Sequence, residues 1–417
     1  MINFKRFTLD NGLRVLVHED HHTPMACVNL LYDVGARDES PDKTGFAHLF
    51  EHLMFGGSVN IPNYDAALQE VGGDNNAFTS NDITNYYITL PAVNLETAFW
   101  LESDRMLSLA FSEQSLEVQR NVVCEEFKQR YLNQPYGDVW LRLRPLAYKE
   151  HPYKWATIGK ELAHIENATM EDVKSFFYTY YRPNNAILVV SGHVDFDEVQ
   201  LLAKKWFGGI PKGNTPVRCL PKEPKQTKAR REVIEANVPI NSIYIAFHGS
   251  ARMEDDYPVM DMLSDILSRG TSARLYRALV KNEPIFSEVN AYVLGSTDNN
   301  LFLVEGKPLP DVTMEYAEEC LWKQLELLKE QLVEEEELQK IKNKIESTLV
   351  FAELSILDKA MNLAYYESLG DANLYNEEAQ RYMEVTSLKM QNLAREMFVE
   401  ENSSTLVYLA KENNDIK

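Results

Sequence analysis

The sequence has little that would suit a nucleic-acid-binding or membrane protein. Positive charge is scarce: 42 Lys and Arg residues stand against 63 Asp and Glu residues, and the net charge is −21. Phosphate backbones and anionic lipid surfaces repel such a chain, so we expect neither nucleic acid nor a membrane as a partner. No run of about 18 apolar residues occurs, and no apolar signal segment follows the N-terminus. We therefore expect a cytoplasmic protein.

Cysteine and histidine are also scarce. The four cysteines (Cys27, Cys124, Cys219 and Cys320) include no C-x-x-C pair, which argues against a disulfide framework and against a cysteine zinc site. The 417 residues contain nine histidines, so closely spaced histidines are informative. The length and the 45% hydrophobic content predict two or three globular domains.

One short segment combines two of these histidines with a carboxylate. It is His48-Leu49-Phe50-Glu51-His52, an H-x-x-E-H motif. Residues four apart share one face of an α-helix, so His48 and His52 can bind a single ion. Glu51 projects beside them, where it can accept a proton from a metal-bound water.

A catalytic zinc site usually has three protein ligands and one water. The third ligand is expected on a helix further along the chain, which contains Gln119-Arg120-Asn121-Val122-Val123-Cys124-Glu125-Glu126. Spacing alone does not choose between Glu125 and Glu126.

Local patterns predict an α+β protein. Asn11-Gly12 lies between two apolar segments, as in a β-hairpin. Gly56-Gly57 marks the end of the helix with the two histidines. Further strands are predicted over 26–34 and 83–90, helices over 95–109 and 113–130, and core Met and Leu side chains over 354–369.

Two pairs of landmarks indicate an internal repeat. Arg37 and Arg252 each follow an apolar strand and precede a helix, 215 residues apart. Thr169 and Thr386 each begin a helix that leads into an apolar strand, 217 residues apart. We predict two homologous α/β-sandwich domains, each a mostly antiparallel sheet packed by helices. A Pro-, Lys- and Arg-rich linker over 211–231 divides an N-terminal metal-binding domain, 1–210, from a C-terminal domain without the metal motif, 232–417.

The joint pattern resembles the pitrilysin/insulinase family of zinc peptidases, also called inverzincins. H-x-x-E-H is followed after some seventy residues by a helix similar to E-R-x-V-V-x-x-E. The early Asn-Gly hairpin, the segment Gly72-Gly73-Asp74-Asn75-Asn76-Ala77-Phe78-Thr79-Ser80 and the duplicated halves also match. The length is similar to that of the mitochondrial-processing-peptidase-like branch. The resemblance places the third ligand at Glu126.

The resemblance implies one Zn²⁺ per chain, held by His48, His52 and Glu126, with Glu51 as the general base. It also implies that Asn76, Ala77 and Phe78 belong to an edge strand that binds an extended peptide substrate.

Two departures from the family pattern qualify this expectation. Gln119 stands where the family commonly has a glutamate that supports the site without binding the metal, so negative charge is lost there. In the second half, Val280 and Ser287 occupy positions where the family usually has an arginine and a tyrosine that bind substrate. Neither residue can replace a guanidinium or a phenol.

We expect a zinc endopeptidase that hydrolyses oligopeptides or unfolded segments in a chamber, as the metal-bearing subunit of a dimer. The partner is a related family subunit that supplies the Arg/Tyr pair, or a second copy of this chain. The alternative function is a non-catalytic peptide-binding or assembly subunit of the same family.

Overall fold

The computed structural model describes residues 1–214 and 217–411, and in this part of the chain eleven strands form two sheets. The first sheet contains β1 (Lys5–Thr8), β2 (Arg14–Glu19), β3 (Met25–Tyr32), β4 (Asp74–Thr79), β5 (Thr84–Pro91) and β6 (Ala186–Gly192). The second contains β7 (Arg230–Ala236), β8 (Ser242–His248), β9 (Phe286–Val293), β10 (Leu301–Pro308) and β11 (Ser403–Ala410). The Asn-Gly hairpin is confirmed, because β1 and β2 pair antiparallel around Gly12, whose φ is +90°.

Fifteen α-helices occur in the described residues. They are α1 (Phe46–Leu53), α2 (Tyr64–Glu70), α3 (Leu95–Leu107), α4 (Glu113–Phe127), α5 (Val139–Ala147), α6 (Leu162–Glu166), α7 (Met170–Tyr180), α8 (Phe196–Phe207), α9 (Tyr257–Ser268), α10 (Arg274–Tyr276), α11 (Met314–Glu330), α12 (Glu335–Ala352), α13 (Ile356–Ser368), α14 (Leu374–Met383) and α15 (Ser387–Met397). The predicted helix over 113–130 ends earlier, at Phe127, and continues as a π-helical turn over Lys128–Leu132. Among the described residues, no helix has the length and apolar character needed to cross a membrane.

The two sheets share one topology, which confirms the predicted repeat and fold class. The first has the order β1-β2-β6-β3-β5-β4 and the second β7-β11-β8-β10-β9. In each, a parallel pair (β2 with β6, β7 with β11) is followed by three antiparallel pairs. The strands β3 and β8 begin 217 residues apart, as do β5 and β10, and β6 and β11. The strand β1 is an addition to the first sheet.

The described chain divides into two compact units, each assembled from three stretches of sequence. Unit 1 contains Met1–Lys128, Trp155–Leu220 and Thr348–Glu377, and unit 2 contains Gln129–Lys154, Pro221–Ser347 and Glu378–Lys417. Each unit therefore contains one stretch from the other half of the sequence. That the chain divides into two homologous domains, 1–210 and 232–417, stays a prediction. Thr215 and Pro216 of the predicted linker, and residues 412–417, lie outside the described residues.

In unit 1 the helix α13 covers one face of the sheet. Its buried side chains Leu363 and Ala364 pack with Leu31 on β3 and Val189 on β6. The core predicted over 354–369 is confirmed for Leu363. It is wrong for Leu354, which precedes α13 and is 74% exposed.

In unit 2 the helix α5 has the corresponding place. Leu143 and Ala147 pack with Tyr244, Leu303 and Tyr408 of the sheet. The opposite face of that sheet packs against α9, α11, α12 and α15 in a larger apolar cluster. Each sheet is thus covered by a helix from the distant half of the chain.

Candidate metal centre

The short helix α1 has a buried apolar face and a polar face. Its buried residues are Phe46, Ala47, Leu49, Phe50 and Leu53. The Phe50 ring stacks on Phe176 and Tyr181, with ring centroids 5.1 and 5.0 Å away. This packing leaves His48, Glu51 and His52 half-buried on the polar face, because residues at these spacings lie away from the apolar stripe.

The start of α1 is fixed by a glycine and by a buried carboxylate. Gly45 precedes the helix with φ +89°, and a Cβ there would lie 2.6 Å from the carbonyl oxygen of Ile158. The Glu39 carboxylate accepts hydrogen bonds from the backbone N–H groups of Gly45 and Ala47, both at 2.8 Å. These donors are among those that an α-helix leaves unpaired at its N-terminus. Burial raises the pKa of Glu39 to about 8, although the two backbone hydrogen bonds oppose the shift.

The structure brings His48, His52 and Glu126 together. Glu126 Oε2 lies 3.7 Å from His48 Nε2 and 3.4 Å from His52 Nε2. One potential ligand atom from each side chain lies within 4.8 Å of the others. Among the described residues, this is the one group of three or more His, Cys, Asp or Glu side chains with that property. Two imidazole nitrogens and a carboxylate oxygen match the ligand types of catalytic zinc sites.

Glu125 and Glu126 have different surroundings on α4. The Glu125 side chain is 62% exposed and pairs with Lys128 at 2.7 Å. The Glu126 side chain is 18% exposed and faces the two histidines. Spacing alone did not distinguish the two glutamates, whereas this geometry favours Glu126 as the third ligand.

Glu51 is bound by a side chain from the first sheet. Thr79 Oγ1, at the end of β4, donates a hydrogen bond to Glu51 Oε2 at 2.6 Å. Nearby, Tyr86 and Tyr181 are fully buried. Burial raises the pKa of Tyr86 well above its usual value; the neighbouring Tyr181 and Glu51 raise it further, and the charge of Arg105 lowers it.

The predicted substrate residues lie on β4, which is the edge strand of the first sheet. Asn76 and Phe78 are exposed, and Ala77 between them is half-buried on the other face of the strand. The Asn76 side chain accepts a hydrogen bond from the backbone N–H of Ala77 at 2.8 Å. The helix α1 packs beside this strand. An extended peptide that paired with β4 would lie close to the metal centre.

Gln119 lies on α4, two turns before Glu126, and is half-buried. Within the described part of the chain, it makes no hydrogen bond to His48, His52 or Glu126. Its supporting role stays a prediction.

The corresponding helix of unit 2 carries two carboxylates and no H-x-x-E-H motif. The helix α9 corresponds to α1 and carries Asp261 and Asp265, also four residues apart. Burial raises the pKa of Asp261, which accepts a hydrogen bond from Tyr382 Oη at 2.6 Å. Asp265 pairs with Arg269 at 3.2 Å. These carboxylates are bound to side chains of their own unit.

Val280 and Ser287 offer no charge to a substrate. Val280 packs against the core of unit 2. Ser287 is exposed, and its hydroxyl donates to the carbonyl oxygen of Lys307 at 3.0 Å.

Comparison with known proteins identifies the family. A family profile described as insulinase (peptidase family M16) matches residues 14–159, and one described as the peptidase M16 inactive domain matches residues 167–345. The chain is 32% identical over 407 residues to the zinc protease PqqE of Helicobacter pylori, covering 96% of this chain and 91% of that protein. The chain belongs to the insulinase (M16) family of peptidases. The resemblance noted in the sequence is confirmed.

Two further similarities agree with this assignment. The crystal structure of a protease from Helicobacter pylori superposes with a TM-score of 0.92 at 31% identity, covering 98% of this chain and all of that one. The mitochondrial-processing peptidase subunit beta of Saccharomyces cerevisiae is 28% identical over 255 residues, which is 60% of this chain and 54% of that protein. Members of the M16 family named zinc proteases are thus similar to this chain over nearly its whole length.

Two groups that contact the site were not among its predicted residues. Glu39 and Thr79 lie outside the H-x-x-E-H motif, yet one binds the start of α1 and the other binds Glu51. Their contacts depend on the fold.

Proposed function

We propose that this chain is a zinc-dependent endopeptidase in which His48, His52 and Glu126 hold one Zn²⁺. The observation that carries the proposal is the convergence of their ligand atoms within 4.8 Å, with Glu51 on the same helix as both histidines. The partial exposure of these side chains leaves room for water and substrate. Relatives named zinc proteases support zinc as the ion.

The proposed reaction is hydrolysis of a peptide bond. Bound Zn²⁺ supplies Lewis acidity, which lowers the pKa of water toward about 7 and polarises a carbonyl group. Glu51 accepts a proton from the attacking water, whose oxygen forms a bond to the carbonyl carbon. When the C–N bond breaks, Glu51 returns that proton to the leaving amine. The Glu51 carboxylate accepts a hydrogen bond from Thr79, and a bond of this kind stabilises the ionised form that this role requires.

We further propose that the substrate is an extended segment of an oligopeptide or of an unfolded protein. The strand β4 has an open edge, and Asn76, Ala77 and Phe78 lie along it. Backbone pairing at such an edge holds a peptide without reading most of its side chains. The proposed substrate is therefore defined by its extended backbone.

The third element of the proposal is a partner subunit. Val280 and Ser287 supply neither a guanidinium nor a phenol, so a related family subunit, or a second copy of this chain, would have to provide the missing substrate contacts. One relative, the mitochondrial-processing peptidase subunit beta, is named as a subunit, which supports a heterodimer. Full peptide turnover by the purified chain alone would argue against a required partner.

A second candidate function is a non-catalytic peptide-binding or assembly subunit. Gln119, Val280 and Ser287 favour it, because all three lack groups that the family commonly has at these positions. The presence of His48, Glu51, His52 and Glu126 in one place argues against it, since an assembly subunit has no need for a catalytic metal centre.

The test is hydrolysis of a quenched fluorescent peptide library by the zinc-loaded chain, with the Glu51→Gln variant and a chelator as controls. We expect turnover when a family subunit carrying the Arg/Tyr pair is added; both controls should abolish it, while Glu51→Gln still holds one zinc per chain. Glu125→Gln is a matched control, because it removes the neighbouring exposed carboxylate and should keep turnover. Zinc-loaded chain that is silent, alone and when mixed with a family subunit carrying the Arg/Tyr pair, would favour the non-catalytic function.

A further inference from the structure

Thr79 and Glu51 form a short hydrogen bond between the edge strand and the metal helix. Thr79 Oγ1 lies 2.6 Å from Glu51 Oε2. The threonine hydroxyl is the donor and the carboxylate oxygen is the acceptor. Distances of 2.5–2.7 Å are typical of hydroxyl–carboxylate hydrogen bonds, which are stronger than those between neutral groups.

The position of Thr79 is fixed by the strand and by the turn that follows it. Along β4 the half-buried Asn75, Ala77 and Thr79 alternate with the exposed Asn76 and Phe78. Thr79 therefore points to the same face as Ala77, toward α1.

The turn after Thr79 is closed by Ser80. Its backbone N–H donates to the carbonyl oxygen of Ile83 at 2.9 Å, and its hydroxyl accepts from the Ile83 N–H at 3.0 Å. The threonine side chain is also branched at Cβ, which restricts its rotamers. The donor is thus held in place before any substrate binds.

Glu51, in contrast, has three rotatable side-chain bonds. A flexible carboxylate next to two histidines has two possible uses: it can bind a metal ion, or it can stay apart from the ion and accept protons. The three side chains whose ligand atoms converge within 4.8 Å are His48, His52 and Glu126, and Glu51 is not one of them. The bond from Thr79 holds Oε2 at the end of β4 and so favours the second use.

We propose that Thr79 is a positioning residue that holds the Glu51 carboxylate in the orientation of a proton acceptor and apart from the metal ligands. This inference rests on the proposed role of Glu51 as general base. Because Thr79 is also part of the strand proposed to bind substrate, a single strand sets the positions of both the peptide and the base.

The decisive variants are Thr79→Val, which removes the hydroxyl at almost constant shape, and Thr79→Ser, which keeps it. Valine is favoured in strands, so the fold should persist, and thermal unfolding checks this. Thr89→Val is the matched control: it makes the same change on β5, where Thr89 pairs with Asp74 at the far end of the β4–β5 hairpin.

We expect Thr79→Val to lower kcat by about 10- to 100-fold, the range for losing a hydrogen bond to a charged group, with KM changed less than about twofold. Zinc content should stay at one per chain. Thr79→Ser should recover most of the lost kcat, and Thr89→Val should behave as the unmodified chain. A Thr79→Val variant with unchanged kcat, or a Thr79→Ser variant as slow as Thr79→Val, overturns the inference.

A readout independent of turnover separates this inference from the proposed function. In crystal structures of the metal-free chain and of Thr79→Ser, Glu51 should have one orientation, with its carboxylate within hydrogen-bond distance of the hydroxyl at position 79. In Thr79→Val the carboxylate should move or occupy several rotamers. If the unmodified chain shows no turnover, alone or mixed with a family subunit carrying the Arg/Tyr pair, the proposed function fails, while these structures still decide the role of Thr79. An unchanged Glu51 orientation in Thr79→Val contradicts that role.

Discussion

Glu39 Oε1 accepts a hydrogen bond from the backbone N–H of Ala47 at 2.8 Å, one residue before His48. The other oxygen of the same carboxylate accepts from Gly45. A single buried side chain therefore binds the first turn of the helix that carries both histidines and Glu51. The candidate metal centre thus depends on a residue that is outside its sequence motif.

The pH dependence of stability should reveal this buried carboxyl group. Burial raises the pKa of Glu39 from 4.5 to about 8, so the folded chain keeps this proton after the unfolded chain has released it. The resulting stabilisation is complete below about pH 4.5 and is lost as pH rises through about 8. Urea unfolding of the unmodified chain and of Glu39→Gln measures this effect. Between about pH 5 and about pH 8.5 the free energy of unfolding of the unmodified chain should fall by a few kcal/mol more than that of the variant, since one pKa unit corresponds to about 1.4 kcal/mol. Parallel curves of unfolding free energy against pH for the two proteins would contradict the raised pKa of Glu39.

Zinc affinity should distinguish two adjacent glutamates. Glu126→Gln should weaken zinc binding by more than about 100-fold, because even groups that only hydrogen-bond a ligand contribute about 10- to 100-fold. Glu125→Gln should leave it nearly unchanged, since Glu125 pairs with Lys128 and points to solvent. Titration against a competing chelator measures the zinc dissociation constants of both variants. Equal losses in the two variants would exclude Glu126 as the specific third ligand.

The exchanged helices should carry much of the stability. Leu363 on α13 and Leu143 on α5 are both fully buried. Replacing either with alanine should lower the free energy of unfolding by about 2–5 kcal/mol, as for other buried leucines. Leu354→Ala is the control: this side chain is 74% exposed, so a change below about 0.5 kcal/mol is expected. Denaturant unfolding of all three variants tests this difference in stability. Equally small losses in all three would mean that α13 and α5 do not pack on the sheets.

A buried ion pair in unit 1 should show strong coupling. Arg105 donates to Glu102 at 2.8 and 2.5 Å, and its guanidinium lies 4.3 Å from the centre of the Tyr86 ring. Arg105→Met alone should cost about 3–5 kcal/mol, because it leaves a buried charge without its partner. The double variant with Glu102→Leu should cost less than the sum of the two single changes. Additive losses in a double-mutant cycle would mean that the two groups act independently.

Much of the candidate site follows from local rules. The spacing of His48 and His52 on one helix is enough to predict that they can share an ion, and the repeat of landmarks near 217 residues predicts the shared sheet topology. The resemblance to a family then selected Glu126 over Glu125. These signals work because helix and strand periodicities are short-range and visible in sequence.

The rest depends on contacts between residues distant in sequence. The bond of Thr79 to Glu51 spans 28 residues, and nothing in the pattern around Thr79 predicts its direction. The place of α13 on the first sheet joins residues separated by more than 150 positions, such as Val189 and Leu363. Its apolar pattern predicts a buried face but does not say which sheet buries it. The prediction for Leu354 was wrong because this residue precedes α13 and is exposed, whereas Leu363 lies on the buried face of the helix.

The exchange of α5 and α13 between the two halves has a consequence for biosynthesis. The last strand of the first sheet ends at Gly192 and α13 begins at Ile356, so a ribosome completes all six strands 164 residues before it releases the start of the helix that covers their apolar face. During this interval the nascent first sheet exposes an uncovered hydrophobic surface, to which chaperones that recognise emerging chains can bind. Completion of unit 1 therefore has to wait for the translation of most of unit 2.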